Sequence, residues 1–190
     1  MKIALLCDTH CGIRNSSEVF LDNAEDFYTN IFFPECEKRG VKQILHLGDY
    51  YDHRKFVNFK ALNQNRRVFL DQLRKHNMIM DIIPGNHDTY YKNTNELNAL
   101  KECLGHYMNE VHIIMEPTVM QYGSLSMALL PWICADNYEP SMNFIRDCKA
   151  DWLGAHLELA NFEIGRGILA PHGMDAKIFK KFEQVLSGDR

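Results

Sequence analysis

Three short polar clusters, Asp8-Thr9-His10, Gly48-Asp49-Tyr50-Tyr51-Asp52 and Gly85-Asn86-His87-Asp88, each follow directly on an apolar run, over residues 2–7, 43–47 and 78–83. A short apolar run that stops at a polar turn reads as a buried strand. The intervals between the runs leave room for a helix to cross back, so successive strands can lie parallel. Strand, polar loop and helix, repeated, constrain this chain more than any other feature. In open α/β sheets ligands collect beyond the carboxyl ends of the strands, and all three clusters fall there.

The crossovers read as helices. Residues 16–39 carry Val19, Phe20, Ala24, Phe27, Tyr28, Ile31 and Phe32 near helical spacing, with Ser16 or Ser17 as the cap, Gly40 as the stop and Pro34 as a kink or division. Residues 56–76 read as a second amphipathic helix, rich in Arg, Lys, Asn and Gln. The second half predicts a short helix over 95–104 and strands over 111–115, Thr118–Tyr122 and Leu125–Leu130, with a turn at Tyr122-Gly123-Ser124. A helix over 140–149, a strand over 152–156, a loop over 161–173, a helix over 176–183 and the start of a last strand at 184–186 follow. A second sheet packed against the first is the expected outcome. No internal repeat, low-complexity segment or linker divides the chain.

With 190 residues, 46% hydrophobic and 24% charged, one domain with a sizeable core is expected. The formal net charge of −4 supplies no global basic field. DNA is not thereby excluded, because bound cations reverse the sign of an acidic site. The six cysteines (7, 11, 36, 103, 134, 148) lack zinc-finger spacing, and the first strand begins at Lys2 with no signal peptide before it. A reduced, cytoplasmic chain is expected, with Cys7 and Cys11 as packing residues, and no stretch is apolar for long enough to span a bilayer.

Hard oxygen donors mixed with imidazole suit a pair of divalent ions, Mn²⁺ first and Mg²⁺ second. Two such ions neutralise a phosphodiester, orient it and hold the attacking water, provided a carboxylate bridges them. Asp49 is the candidate bridge, with Gly48 letting the chain turn closely beneath it. Asp8 and His10, two residues apart, would share one ion with Asp49; Asn86 and the strand-end His156 would serve the other. His87 would protonate the leaving oxygen, and Asp88 would orient the His87 ring. Each cluster taken singly also fits an ordinary turn, and His156 alone fits a polar surface residue.

In order and together, D-x-H, G-D-x-x-D and G-N-H-D resemble the calcineurin-like metallophosphoesterases. The finer resemblance is to the nuclease subunits of SbcCD-type DNA repair complexes, and among these to the recombination endonuclease subunits of T4-like bacteriophages. It rests on Gly48-Asp49-Tyr50-Tyr51-Asp52-His53-Arg54-Lys55, on Ile83-Pro84-Gly85-Asn86-His87-Asp88 with Tyr91-Lys92-Asn93, on Leu130-Pro131-Trp132-Ile133-Cys134 and on Gly154-Ala155-His156-Leu157-Glu158-Leu159. The resemblance implies a four-layer α/β/β/α sandwich, two Mn²⁺ ions, cleavage of DNA phosphodiesters, a coiled-coil ABC-type ATPase partner and a homodimer. The 56–76 helix, through Phe59, Leu62, Val68 and Leu73, is the candidate dimer contact, and it reads equally as a helix covering the sheet. Arg54 and Lys55 are candidates for gripping DNA phosphate, or else solvated loop charges. Such a protein would act in the cytoplasm of a phage's host.

In that family the site closes with a G-H-x-H segment whose two histidines are ligands. Here Val185-Leu186-Ser187-Gly188 matches the lead-in, but Asp189-Arg190 follow and neither of the expected histidines is present. The expectation is a metallophosphoesterase domain over 1–190, incomplete at its carboxyl end and without the capping region. Such a domain binds Mn²⁺ weakly and cleaves DNA poorly alone, with Asp189 fraying rather than replacing a ligand. A split gene, an interrupted remnant and an excerpt of a longer sequence each fit. Two other functions stay open: a metallophosphoesterase acting on a monoester or cyclic nucleotide, and an inactive fragment with a binding role.

Overall fold

The structure, a computed structural model, describes residues 1–189; Arg190 lies outside the described residues. Strands β1 (Ile3–Leu6), β2 (Gln43–His46), β3 (Ile79–Ile82) and β4 (Val111–Ile113) form one all-parallel sheet in that spatial order. After it come β5 (Thr118–Tyr122), β6 (Leu125–Leu130) and β7 (Trp152–Leu157). Residues 161–173, expected to be a loop, instead hold a small hairpin of β8 (Glu163–Gly165) and β9 (Ile168–Leu169). The last strand, β10 (Gln184–Asp189), returns to the second sheet, whose order is β10-β7-β6-β5. Only β5 and β6 pair antiparallel there.

Alternation along the strands sorts the core into layers. Leu45 and Leu47 pack with Met127, Leu129 and Tyr122 between the sheets. Ile44, Met80 and Ile82 face the other way, into a cluster with Phe69, Leu70 and Leu73 of the helical layer. On the second sheet Ala128, Leu130, Leu153 and Ala155 face outward against Ile145, Phe179 and Phe182. The result is helices, sheet, sheet, helices: the four layers expected. No helix among the described residues is long and apolar enough to cross a membrane.

The first crossover is a helical run from Glu18–Asp26 through a π-helical segment, Phe27–Phe32, into Phe33–Arg39. Pro34 explains the wide turns before it. It cannot donate to a carbonyl four residues back, and its ring crowds that carbonyl, so the preceding turns open. The run starts later than expected because Arg14, Asn15 and Ser16 are left-handed. Gly40, at φ 67°, ends it, and Val41 N–H donates to Cys36 O across the stop.

The second crossover starts at Phe59, where Asn58 Oδ1 accepts from Lys60 N–H at 2.8 Å, and continues through Arg66–Leu70 to Asp71–Lys75. Val68 and Leu73 are buried against the sheet, which makes this helix a cover for it. Phe59 is 86% exposed. The helix expected over 95–104 is shorter, Ala99–Leu104, because Asn98 caps it by accepting from Lys101 N–H. Tyr138–Asp147 is helical, and Ala176–Phe179 forms a 3-10 turn where a longer helix was expected.

Candidate metal centre

The first two loops stay paired beyond the ends of β1 and β2. Asp8 N–H donates to Gly48 O, His10 N–H to Asp49 O and Cys11 N–H to Tyr50 O, at 3.0, 3.0 and 2.7 Å. Asp8, His10 and Asp49 all take left-handed backbone, with φ of 50°, 41° and 54°. For residues with a Cβ this costs about 1–2 kcal/mol each. It persists where the surrounding bonds impose it, and such residues cluster at functional sites.

Asp49, 2% exposed, lies at the middle of the cluster. Its Oδ1 accepts from His87 N–H at 2.7 Å and is 3.4 Å from His156 Nε2; its Oδ2 is 3.8 Å from His10 Nε2. Asp8 Oδ1 is 4.0 Å from His10 Nε2. The donor atoms fall into two triads, each within 4.8 Å: His10, Asp49 and His87, and Asp8, Asp49 and His156. Asp49 belongs to both, as a bridging carboxylate must. The triads group Asp8 with His156 and His10 with His87, a different division from the expected Asp8–His10 pairing.

His156 is buried at the end of β7. Its Nδ1 lies 2.8 Å from Leu47 O, which only accepts, so Nδ1 carries the hydrogen and Nε2 faces the centre. Burial alone would lower its pKa, but the Asp49 carboxylate outweighs this and raises it to about 9. Burial would raise the Asp49 pKa, yet bonding to His156 and His87 N–H holds it below the usual carboxylate value. With no cation, a proton on His156 neutralises Asp49. A metal ion entering here would displace that proton.

The polar atoms fit divalent cations. Asn86 Oδ1 is 2.9 Å from His156 Nε2, whose proton it accepts, and 3.1–3.2 Å from both Asp49 oxygens, three acceptors converging on one position. With His156 neutral, the amide turned about so that Nδ2 faces Asp49 donates to the same atoms. His10 Nδ1 is buried with no hydrogen-bond partner, Asp52 Oδ1 being 3.5 Å away. Converging oxygens and imidazole nitrogens of this kind are a set for hard or borderline divalent ions.

Glycines let these groups come so close. Gly48 has φ 91°, and a Cβ on it would lie 2.7 Å from both Gly85 N and His156 Nδ1. A Cβ on Gly85 would collide with Asp49 N and Oδ1. The last strand closes the site: Gly188 pairs in register with His156, and Asp189 N–H donates to both Asp8 oxygens at 3.1 and 3.2 Å. The expectation that Asp189 frays is corrected, since β10 extends through it and ties it to Asp8.

Three further expectations are corrected. Asp88 does not orient His87. It is fully buried, and its oxygens accept from Tyr51 N–H at 3.0 Å and Gly85 N–H at 2.9 Å, tying the second loop to the third. Burial raises its pKa to about 6. His87 is oriented instead by Asp52, whose backbone carbonyl accepts from Nδ1 at 2.6 Å. Its place in G-D-x-x-D draws attention to Asp52, but the contact that orients His87 uses the backbone and not the side chain. Arg54 does not extend toward solvent. Its guanidinium donates to Thr89 Oγ1 at 3.1 Å and to the carbonyls of Thr89 and Tyr91, 5.3 Å from the Trp132 ring centroid. Lys55 is exposed, its Nζ 5.8 Å from the Tyr90 ring. Cys7 is exposed, not packed, whereas Cys11 is half-buried with Sγ near Ala61 O. Neither thiol joins the triads.

Known proteins share this sequence pattern. The chain is 29% identical over 188 residues to exonuclease subunit 1 of Enterobacteria phage T4, an alignment covering 99% of this chain and 54% of that protein. The chain therefore spans about half the length of the curated relative it matches. The calcineurin-like phosphoesterase family model matches residues 1–174, which contain Asp8, His10, Asp49, Asn86, His87 and His156. The chain belongs to the calcineurin-like phosphoesterase family.

Proposed function

We propose that this chain carries the catalytic centre of a Mn²⁺-dependent DNA nuclease hydrolysing phosphodiesters with two metal ions, Mg²⁺ being the alternative metal. The observation that carries the reading is the pair of donor triads sharing Asp49 beyond the strand ends. Similarity to a phage exonuclease subunit favours DNA over a monoester. Asp8, His10 and Asp49 would hold one ion, and Asp49, Asn86 and His156 the other. The triads divide Asp8 and His10 differently, but His10 Nε2 lies 4.0 Å from Asp8 Oδ1 and 3.8 Å from Asp49 Oδ2, near enough for one ion to draw the three together. When bound, such ions neutralise the phosphate and activate the attacking water.

The side chains supply orientation and a proton. Leu47 O fixes the His156 ring so that Nε2 faces the ligand position. Asp52 O fixes His87 at Nδ1, leaving its Nε2 to hand a proton to the departing sugar oxygen. Asp88 braces the backbone of both loops. The proposed nuclease domain takes in residues 1–190. Its proposed partners are DNA, a coiled-coil ABC-type ATPase and a second copy of the chain, acting in the cytoplasm of a phage's host.

The test compares hydrolysis of bis-p-nitrophenyl phosphate, p-nitrophenyl phosphate and linear DNA by the purified chain and by Asp49→Asn. The reading expects Mn²⁺-dependent cleavage of the diester and of DNA in preference to the monoester. Asp49→Asn should lower it by at least roughly 10–100-fold, the loss seen even for partners of metal ligands. Preference for the monoester, or an Asp49→Asn variant as active as the parent, would overturn it.

A further inference from the structure

Between the two ligands of the first loop sits a residue whose side chain the metal chemistry does not use. Asp8 and His10 both take left-handed backbone, and Thr9 lies between them, half-buried. The Thr9 hydroxyl reaches across to the second strand and its loop. Oγ1 is 3.0 Å from His46 Nε2 and 3.3 Å from Tyr50 O. A carbonyl only accepts, so the single hydroxyl hydrogen goes to Tyr50. Oγ1 then accepts from His46, which places the His46 hydrogen on Nε2 and leaves Nδ1 bare. That Nδ1 is buried without a partner. An apolar residue would fill this fully buried place in β2 without such a loss. A ring that spends its one donor on Thr9 and leaves its other nitrogen unpaired calls for an explanation beyond packing.

The surroundings supply one. The His46 ring meets the Tyr50 ring edge to face at 5.3 Å, and Tyr50 Oη shares hydrogen bonds with the Asn65 amide at 2.8 and 3.1 Å. Tyr50 directly follows Asp49, so the carbonyl that Thr9 holds is next to the bridging carboxylate. The first loop also lacks solid backing. A cavity of about 50 Å³ lies against it, lined by Thr9, His10, Gly12, Tyr28 and Asn65 among others. Atoms that face a void gain no contacts there, so packing does little to hold them. Backbone bonds from Asp8, His10 and Cys11 set the loop's spacing from the second loop. The Thr9 hydroxyl adds a side-chain cross-link between the same two loops.

We infer that Thr9 and His46 form a positioning pair for the ion that Asp8, His10 and Asp49 would hold. His46 aims the Thr9 hydroxyl, and the hydroxyl locks the first loop to the carbonyl beside Asp49. Neither residue touches the ion or the substrate. They act through the spacing of the ligands on either side of Thr9, as partners of metal ligands do in other sites. The inference rests on the two-metal reading above and deepens it by naming what keeps the carboxylates and the His10 imidazole in register.

The test is calorimetric titration of the full chain with Mn²⁺, with the electron paramagnetic resonance spectrum of the loaded protein and thermal unfolding in chelator beside it. Thr9→Val keeps nearly the same shape and removes the hydroxyl, whereas Thr9→Ser keeps the hydroxyl. Thr9→Val should weaken Mn²⁺ binding about 10–100-fold, the loss usual for partners of metal ligands. It should also lose the spin-coupled signal of paired ions at Mn²⁺ concentrations where the parent shows it. Thr9→Ser should keep both. His46→Leu removes the donor to Thr9; it should weaken binding in the parent and add little to Thr9→Val, because the two residues act as one unit. Thr9→Ala takes the place of Thr9→Val, with the same expectations, if the valine variant is unfolded in chelator. A hydroxyl-free variant that binds Mn²⁺ like the parent would overturn the pair. So would Thr9→Ser failing as badly as Thr9→Val, or losses at Thr9 and His46 that simply multiply. In each of these cases a parent that binds two Mn²⁺ ions and cleaves the diester leaves the nuclease reading intact. A parent that binds no Mn²⁺ would overturn both.

Discussion

His46 is fully buried at the end of β2, directly behind the metal loops, with Nε2 3.0 Å from Thr9 Oγ1 and Nδ1 without a partner. Burial lowers its pKa to about 3, so it stays neutral where an unfolded histidine would be charged. The unfolded chain then binds the extra proton, and the stability present above pH 6.5 is lost as pH falls toward 3, by up to about 1.4 kcal/mol per pH unit. Asp88, raised by burial to about 6, changes stability in the opposite sense across part of this range. The His46 contribution is therefore read as a difference. Urea denaturation of the parent and of His46→Gln should show a steeper loss of stability in the parent below pH 6.5. Parallel curves would contradict neutral burial of His46. Residue identities made much of the centre legible, because a carboxylate or imidazole at a strand end announces itself. The work of Asp52 was not legible, because it uses a backbone carbonyl that every residue possesses. Arg54 misled because its charge reads as solvent-facing, while its acceptors lie 35 and 37 residues away in sequence.

At the scale of elements, the strands that carry the centre were readable because each apolar run ends abruptly in polar residues. The β8–β9 hairpin was not, since residues 161–169 are all exposed and show no alternation between a buried and a solvated face. The same scale explains why glycine ends β2 and opens the third loop. The two loops approach until no Cβ fits between Gly85 and the Asp49 backbone. Gly85→Ala should therefore push Asp49 away from His156. Overpacking of this kind costs about 1–3 kcal/mol. Thermal unfolding should register that loss together with weakened Mn²⁺ binding. An alanine variant with unchanged stability and metal affinity would show that the loops have more freedom than their contacts imply.

Over the whole molecule, the two sheets are joined by apolar packing and, away from the metal centre, by the buried carboxylate of Asp81. Asp81 on β3 accepts from Gln43 Nε2 at 2.8 Å and from Tyr122 Oη–H at 2.7 Å, and pairs with His112 Nδ1 at 2.9 Å. Tyr122 belongs to the second sheet and the other three residues to the first. Tyr122→Phe keeps the ring but removes one of the two donors to Asp81 Oδ2, a hydrogen bond to a buried carboxylate whose loss should cost about 1–3 kcal/mol in chemical denaturation. A neutral substitution would mean that the apolar layer alone holds the sheets. That docking brings β7 and β10 beside β2, which is how His156 and Asp189 reach loops far from them in sequence. The account stands on the convergence this produces, and a crystal soaked in Mn²⁺ tests it most directly. Anomalous scattering should reveal two ions on either side of the Asp49 carboxylate, one against Asp8 or His10 and the other against Asn86 and His156. Manganese bound only elsewhere, or an Asp49 carboxylate in contact with no ion, would contradict it.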